Sequence, residues 1–135
     1  MAKTMRAKCL EAIQLLSRVE AADDDGYCVC ASCGCYEHYK SMDGGHFVAK
    51  GCSSFWALEE ENVHPQCKGC NGFGMKHGVA AYQYQKFMVR KYGQEFVDNM
   101  IETRKDIKKR FAVDYRDMLA DFKARIKIEK QRIGE

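Results

Sequence analysis

"CASCG" (30–34), "DGGHF" (43–47) and "ENVHPQCKGCN" (61–71) are the informative pieces of one stretch, Cys30 to Asn71, whose reading decides the fold. Two Cys-x-x-Cys pairs, Cys30/Cys33 and Cys67/Cys70, bracket a lone histidine, His46, that follows paired glycines. Asn71 comes directly after the last cysteine. Thiolates delivered as two such pairs suit a tetrahedral zinc site of structural type, closed to substrate. The first pair fits a knuckle turn helped by Gly34, and the second fits the place where the chain turns into a helix. Cys28 and Cys35 widen the first cluster to Cys-x-Cys-x-x-Cys-x-Cys and are expected to stand by as spectators. With zinc holding the scaffold, His46 and Asn71 are free for chemistry.

Working outward, the chain of 135 residues is sized for one domain. Positions 4–20 repeat apolar residues at helical spacing, and "DDDG" (23–26) ends that helix. The segment that follows, glycine- and cysteine-rich, predicts knuckles and a hairpin. Its strands are expected at 46–49 and 55–58, with 50–54 as the connection. Helices are expected at 78–91, 94–104 and 111–131. Phe111, Tyr115, Met118, Phe122 and Ile126 form a stripe on the last one, suited either to folding back on the core or to a dimer seam. The domain plan is an N-terminal helix (1–25), a zinc-bound core (26–93) and basic C-terminal helices (94–135).

Eight cysteines in a secreted chain would suggest disulfides. The first 16 residues lack an uninterrupted apolar run, so no signal peptide is expected and the thiols favour metal. No run is apolar and long enough for a membrane span. The net charge of +3 argues little by itself, but residues 86–135 hold 14 Lys/Arg against 9 Asp/Glu. A basic tail beside an acidic metal centre suits a phosphate-backbone partner; on charge alone, a solvated helix face fits better.

The spacing of His46, Asn62, Cys67, Cys70 and Asn71 resembles that of HNH (ββα-metal) nucleases. Within that superfamily the chain is most similar to the phage NinG family. The matching run includes "CASCG", "DGGHF", "ENVHPQCKGCN", "KHG" (76–78) and "KYGQEFVDNMIE" (91–102). The resemblance implies an α+β fold: a small zinc-stabilised, treble-clef-like ββα-metal core with flanking N- and C-terminal helices. It implies an HNH-type DNA endonuclease acting on branched DNA such as Holliday junctions or D-loops in phage recombination, in the host cytoplasm. Homing, packaging or restriction nucleases and a non-catalytic zinc-finger module are the alternatives.

Residue by residue, the resemblance makes His46 the general base, since neutral imidazole titrates near working pH. Asn71 would hold a divalent cation, Mg²⁺ or Mn²⁺, through its amide oxygen, and Asn62 would clamp the hairpin. The second cation ligand is open. The position before His46 is Gly45, which has no side chain to offer, and Asp43 is placed narrowly ahead of His64 or of waters alone. Zinc would sit on Cys30, Cys33, Cys67 and Cys70. Lys76 and His77, and more weakly Lys50 and Arg90, are candidates for DNA contact, and branch cutting suggests a homodimer. Read alone, His46, Asp43 and His64 are ordinary turn or backbone-bonded residues, and Trp56 is hairpin core.

Overall fold

The computed structural model describes residues 2–135. Helix α1 spans Met5–Ala21 and opens on Thr4, whose side chain accepts a hydrogen bond from the Ala7 amide. Two hairpins follow. In the first, β1 (Tyr27–Val29) pairs antiparallel with β2 (Tyr36–His38). In the second, β3 (Met42–His46) pairs antiparallel with β4 (Val63–Cys67). A π-helical turn over Cys70–Gly74 leads to α2 (Val79–Tyr92), then α3 (Gln94–Glu102) and α4 (Ala112–Ile133). Gly93, at φ +92°, breaks the chain between α2 and α3 with a backbone conformation that L side chains rarely adopt. The result is a mixed α+β fold.

The central hairpin is not the one expected from 46–49 and 55–58. β3 begins at Met42 and its partner lies beyond residue 62, while Trp56–Leu58 is a 3₁₀ turn. The apolar run around Trp56 is buried because it fills the core under the connecting loop, not because it pairs. That loop is long, and Asn62 holds it closed. Its Oδ1 accepts from the Val48 amide at 2.7 Å, and its Nδ2 donates to the Val48 and Trp56 carbonyls at 2.8 and 3.0 Å. Fully buried and fully bonded, this side chain does the work that strand pairing was expected to do.

The paired glycines of β3 answer to packing on both faces. A Cβ on Gly44 would stand 2.5 Å from the Gln14 Cα and 2.6 Å from its carbonyl oxygen, so α1 lies directly on the strand. A Cβ on Gly45 would collide with the Gln66 side-chain amide on the opposite face. Only glycine permits these approaches.

Two apolar clusters carry the fold. One joins α1 (Cys9, Ile13, Leu16, Val19) to α4 (Leu119, Phe122, Ile126) and to β3 and β4. The other joins Trp56 to α2 and α3 through Tyr84, Met88, Val97 and Met100. The apolar stripe of α4 is thus largely spent on α1, while Phe111 at its head stays 64% exposed. The two helices run parallel: Cys9 Sγ donates to the Tyr115 carbonyl near one end. At the other, Arg132 donates to the Val19 and Ala22 carbonyls, satisfying acceptors that the end of α1 leaves open. Arg125 adds ion pairs to Glu20, Glu60 and Asp121. Part of the basic charge of the C-terminal part, at Lys108, Arg110, Arg125 and Arg132, is therefore engaged within the molecule. Among the described residues, no helix is long and apolar enough to cross a membrane.

Candidate functional site

The first hairpin and the end of the second bring the cysteines together. The Cys30 amide donates to the Cys35 carbonyl and the Gly34 amide to the Cys30 carbonyl, closing the knuckle between β1 and β2. Gly34 takes a φ of +78° there. The sulfurs of Cys30, Cys33, Cys35 and Cys67 all lie within 4.8 Å of one another. Cys33 and Cys67 are 3.9 Å apart. A tetrahedral zinc with Zn–S bonds of about 2.3 Å places its sulfurs roughly 3.8 Å apart, so the set fits zinc. Cys70, on the turn beyond β4, reaches Cys67 and Cys33 with its thiol.

Cys35, expected as a spectator, therefore stands inside the cluster. It lies in the knuckle, before β2 begins at Tyr36. Gly34, at φ +78°, turns the chain between Cys33 and Cys35, and both sulfurs lie in the cluster. Cys28 stays out of it: its thiol is buried, and burial pushes its pKa up to about 11. Hydrogen bonding from the Cys35 backbone, with contacts from neighbouring thiols, draws Cys33 down to about 7. Five thiols thus converge where a tetrahedral zinc needs four.

A second arrangement flanks this one. Strand alternation sends Asp43 to the same side of the hairpin as Gln66 and His64, facing α2. There the Asn71 amide Nδ2 donates to Asp43 Oδ2 at 3.1 Å, and Lys68 Nζ meets Asp43 Oδ1 at 2.8 Å. Burial works against ionising Asp43, but hydrogen bonds from Lys68 and Asn71 and the charges of Lys68 and Arg18 outweigh it. Its carboxyl is held below the usual range. An ionised carboxylate and a carboxamide at hydrogen-bond distance are oxygen donors suited to a hard cation. Which atom of an amide faces its neighbour is assigned from the surrounding hydrogen bonds, so Asn71 can present Oδ1 by a rotation about its last bond.

His46 closes β3 on the other side, with Nε2 2.9 Å from the Ala57 carbonyl. Since a carbonyl only accepts, Nε2 carries the proton and Nδ1 keeps its lone pair. Burial, together with the charges of Lys50 and Arg6, lowers the pKa of His46 below its usual value, against the raising effect of the Ala57 bond. His46 is thus a neutral, oriented imidazole. It does not share the face of Asp43 and Asn71, being three residues from Asp43 along the strand.

His64 is engaged elsewhere. It is 5% exposed, with Nδ1 3.1 Å from Tyr84 Oη and Nε2 2.9 Å from Tyr92 Oη. Tyr84 donates its own proton to the Gly45 carbonyl, so it accepts from His64 Nδ1–H, and Nε2 accepts from Tyr92. Both ring nitrogens are spent, leaving none for the cation. Burial lowers its pKa to about 3. The folded state therefore holds His64 neutral while the unfolded state takes a proton below about 6.5. Stability from this residue is complete above pH 6.5 and lost as pH falls toward 3. At pH 5 the penalty is about 2 kcal/mol. Urea titrations of the chain and of His64→Phe should show the variant losing less stability between pH 6.5 and 5; parallel losses would contradict this.

Of the residues proposed for DNA contact, Lys50, Lys76, His77 and Arg90 are all exposed. Sequence reasoning missed the acid-free run around three of them: no Asp or Glu occurs from residue 62 to residue 94. The signal was present in the composition but hidden because the surplus over residues 86–135 is equally large while being diluted by nine acids.

Comparison with known families gives one match. The model described as bacteriophage lambda NinG protein fits residues 6–132, nearly the whole chain. No curated protein and no solved structure matches the chain.

Proposed function

We propose that this chain, which belongs to the bacteriophage lambda NinG protein family, is a metal-dependent DNA endonuclease with a zinc-braced ββα-metal (HNH) core. We assign it to branched recombination intermediates. The observation that carries the reading is the meeting of Asp43 and Asn71 at 3.1 Å, between β3 and the turn that follows the second cysteine pair. A zinc-binding module without catalysis has no use for a carboxylate and a carboxamide held together, or for an oriented neutral histidine at the end of the same strand.

In this reading Asp43 and Asn71 hold the divalent cation, with Lys68 leaving the carboxylate when it binds. A Mg²⁺ or Mn²⁺ held by these two residues would supply charge neutralisation at the scissile phosphate and stabilisation of the leaving 3′-oxygen. His46 Nδ1 takes the proton of the attacking water, and its Nε2–H stays on the Ala57 carbonyl, which fixes the ring. Within β3, Asp43 and His46 are the two residues that are not fully buried. Asn62 has no part in proton transfer; it holds the loop that carries the Ala57 carbonyl. Such cleavage leaves 5′-phosphate and 3′-hydroxyl ends.

The test is cleavage of a labelled four-way junction and of linear duplex while Mg²⁺ or Mn²⁺ is titrated. Asn71→Ala and Asp43→Ala should each raise the cation concentration needed for half-maximal cleavage by at least about tenfold, since even residues that only support metal ligands cost 10–100-fold. An unchanged titration for Asp43→Ala would place the second ligand elsewhere. Failure of the wild-type chain to cut any DNA under these conditions would end the nuclease reading. Equal cutting of junction and duplex would end the branch preference.

A further inference from the structure

Phe73 lies two residues beyond Asn71 and is 73% exposed. Its ring is stacked on the His77 imidazole, with centroids 3.9 Å apart and planes inclined by 31°. On α2, Tyr82 is 60% exposed, and Lys86 Nζ sits 4.7 Å from the centre of its ring. Val79, between the two aromatic groups in sequence, is 69% exposed. Val79 and Tyr82, three residues apart on α2, share one helix face, and exposed apolar groups of this size forgo the stabilisation that burial would give.

The surroundings select the occupant. From residue 62 to residue 94 there is no acidic side chain, while Lys68, Lys76, Lys86, Arg90 and Lys91 are all cationic. Lys68 is committed to Asp43, but among the described residues Lys76, Lys86 and Arg90 have no carboxylate within ion-pair distance. Exposed aromatic faces set among unpaired cations are the two components of single-strand recognition: rings that accept any base by stacking, and charges that follow the backbone. Bases within a duplex already stack on their neighbours and offer no free face.

The geometry points to a stacking platform for unpaired nucleobases, formed by the Phe73–His77 pair and Tyr82, with Lys76, Lys86 and Arg90 receiving the adjoining phosphates. This inference rests on the nuclease reading and specifies its substrate: DNA whose bases are unpaired next to the cut.

The experiment uses the full chain with zinc bound and no added Mg²⁺ or Mn²⁺, so that binding is read without cleavage. The probes are a forked DNA with 2-aminopurine in its unpaired arm and a blunt duplex of equal length. The wild-type chain should quench the 2-aminopurine and prefer the fork. Phe73→Ala and Tyr82→Ala should each weaken fork binding by roughly 5- to 150-fold, the range that aromatic stacking on a base supplies. Duplex binding should stay within about twofold, and Phe73→Trp should restore both quenching and affinity. Both positions are on the surface, and unchanged zinc content and circular dichroism would verify the fold. Fork affinity unaffected by both alanine variants, or an equal loss on fork and duplex, would overturn the platform. Cleavage that persists with no dependence on Phe73 or Tyr82 would remove the platform and leave the nuclease. Fork-selective, Phe73-dependent binding by a chain that never cuts would do the reverse.

Discussion

Replacing His46 with alanine is expected to lower DNA cleavage by roughly 10²–10⁴-fold, the usual cost of losing a positioned general base. Zinc content should be unchanged, and stability should fall by only about 1 kcal/mol, one hydrogen bond's worth. The expectation rests on a single free lone pair: Nε2 is spent on the Ala57 carbonyl, so Nδ1 alone can accept a proton. Its pH profile carries a second check. Burial and the nearby Lys50 and Arg6 charges favour the neutral ring, and neutral is the active form. The acid limb of the rate profile should therefore lie below the usual histidine value of about 6.5. Undiminished cleavage by His46→Ala would exclude His46 as the base, and an acid limb well above that value would assign it to another group.

Cys67→Ser should release the zinc and unfold the centre of the molecule. Structural zinc sites supply about 10–16 kcal/mol of apparent binding free energy at neutral pH, which for a centre this small is folding free energy. Cys67 ties the second hairpin to the knuckle, within 3.9 Å of Cys33. Cys35 and Cys70 offer different ways to complete a four-sulfur set with Cys30, Cys33 and Cys67. Cys35→Ser and Cys70→Ser should each keep one zinc per chain, and the double variant should lose it. Metal analysis with circular dichroism reads all four proteins. Full zinc occupancy in Cys67→Ser would remove that residue from the site, and loss of zinc in Cys35→Ser alone would make Cys35 an obligatory ligand.

The sequence made the helices legible to within a few residues, because apolar spacing on α1, α2 and α4 is strong and each end carries a turn signal. Cys30, Cys33 and Cys67 were legible for a different reason, since metal geometry favours that spacing, whereas Cys35 was not expected in the cluster it joins. The central hairpin was not. β3 contains two glycines, and so lacks an alternating pattern, while β4 contains Pro65, which argues against a strand. What pairs them is the packing of α1 on Gly44 and of Gln66 on Gly45, a demand that appears only in three dimensions. The fate of His64 was hidden likewise, because its tyrosine partners lie 20 and 28 residues away. Asp43 could be proposed from the motif, but its meeting with Asn71 depends on the register of β3 against β4.

The parallel seating of α4 on α1 sets an order of events during synthesis. Helix α1 leaves the ribosome before the hairpins and α4, with Cys9, Ile13, Leu16 and Val19 on its apolar face. The helix that covers part of that face is about ninety residues downstream, and at 5–20 residues per second it follows roughly 5–20 seconds later. The two hairpins and their thiols are made in the interval, from nearer neighbours in sequence. The metal-binding centre can thus mature first, and the clasp of the two terminal helices closes around it last, at the highest loop-closure cost of any contact in the chain.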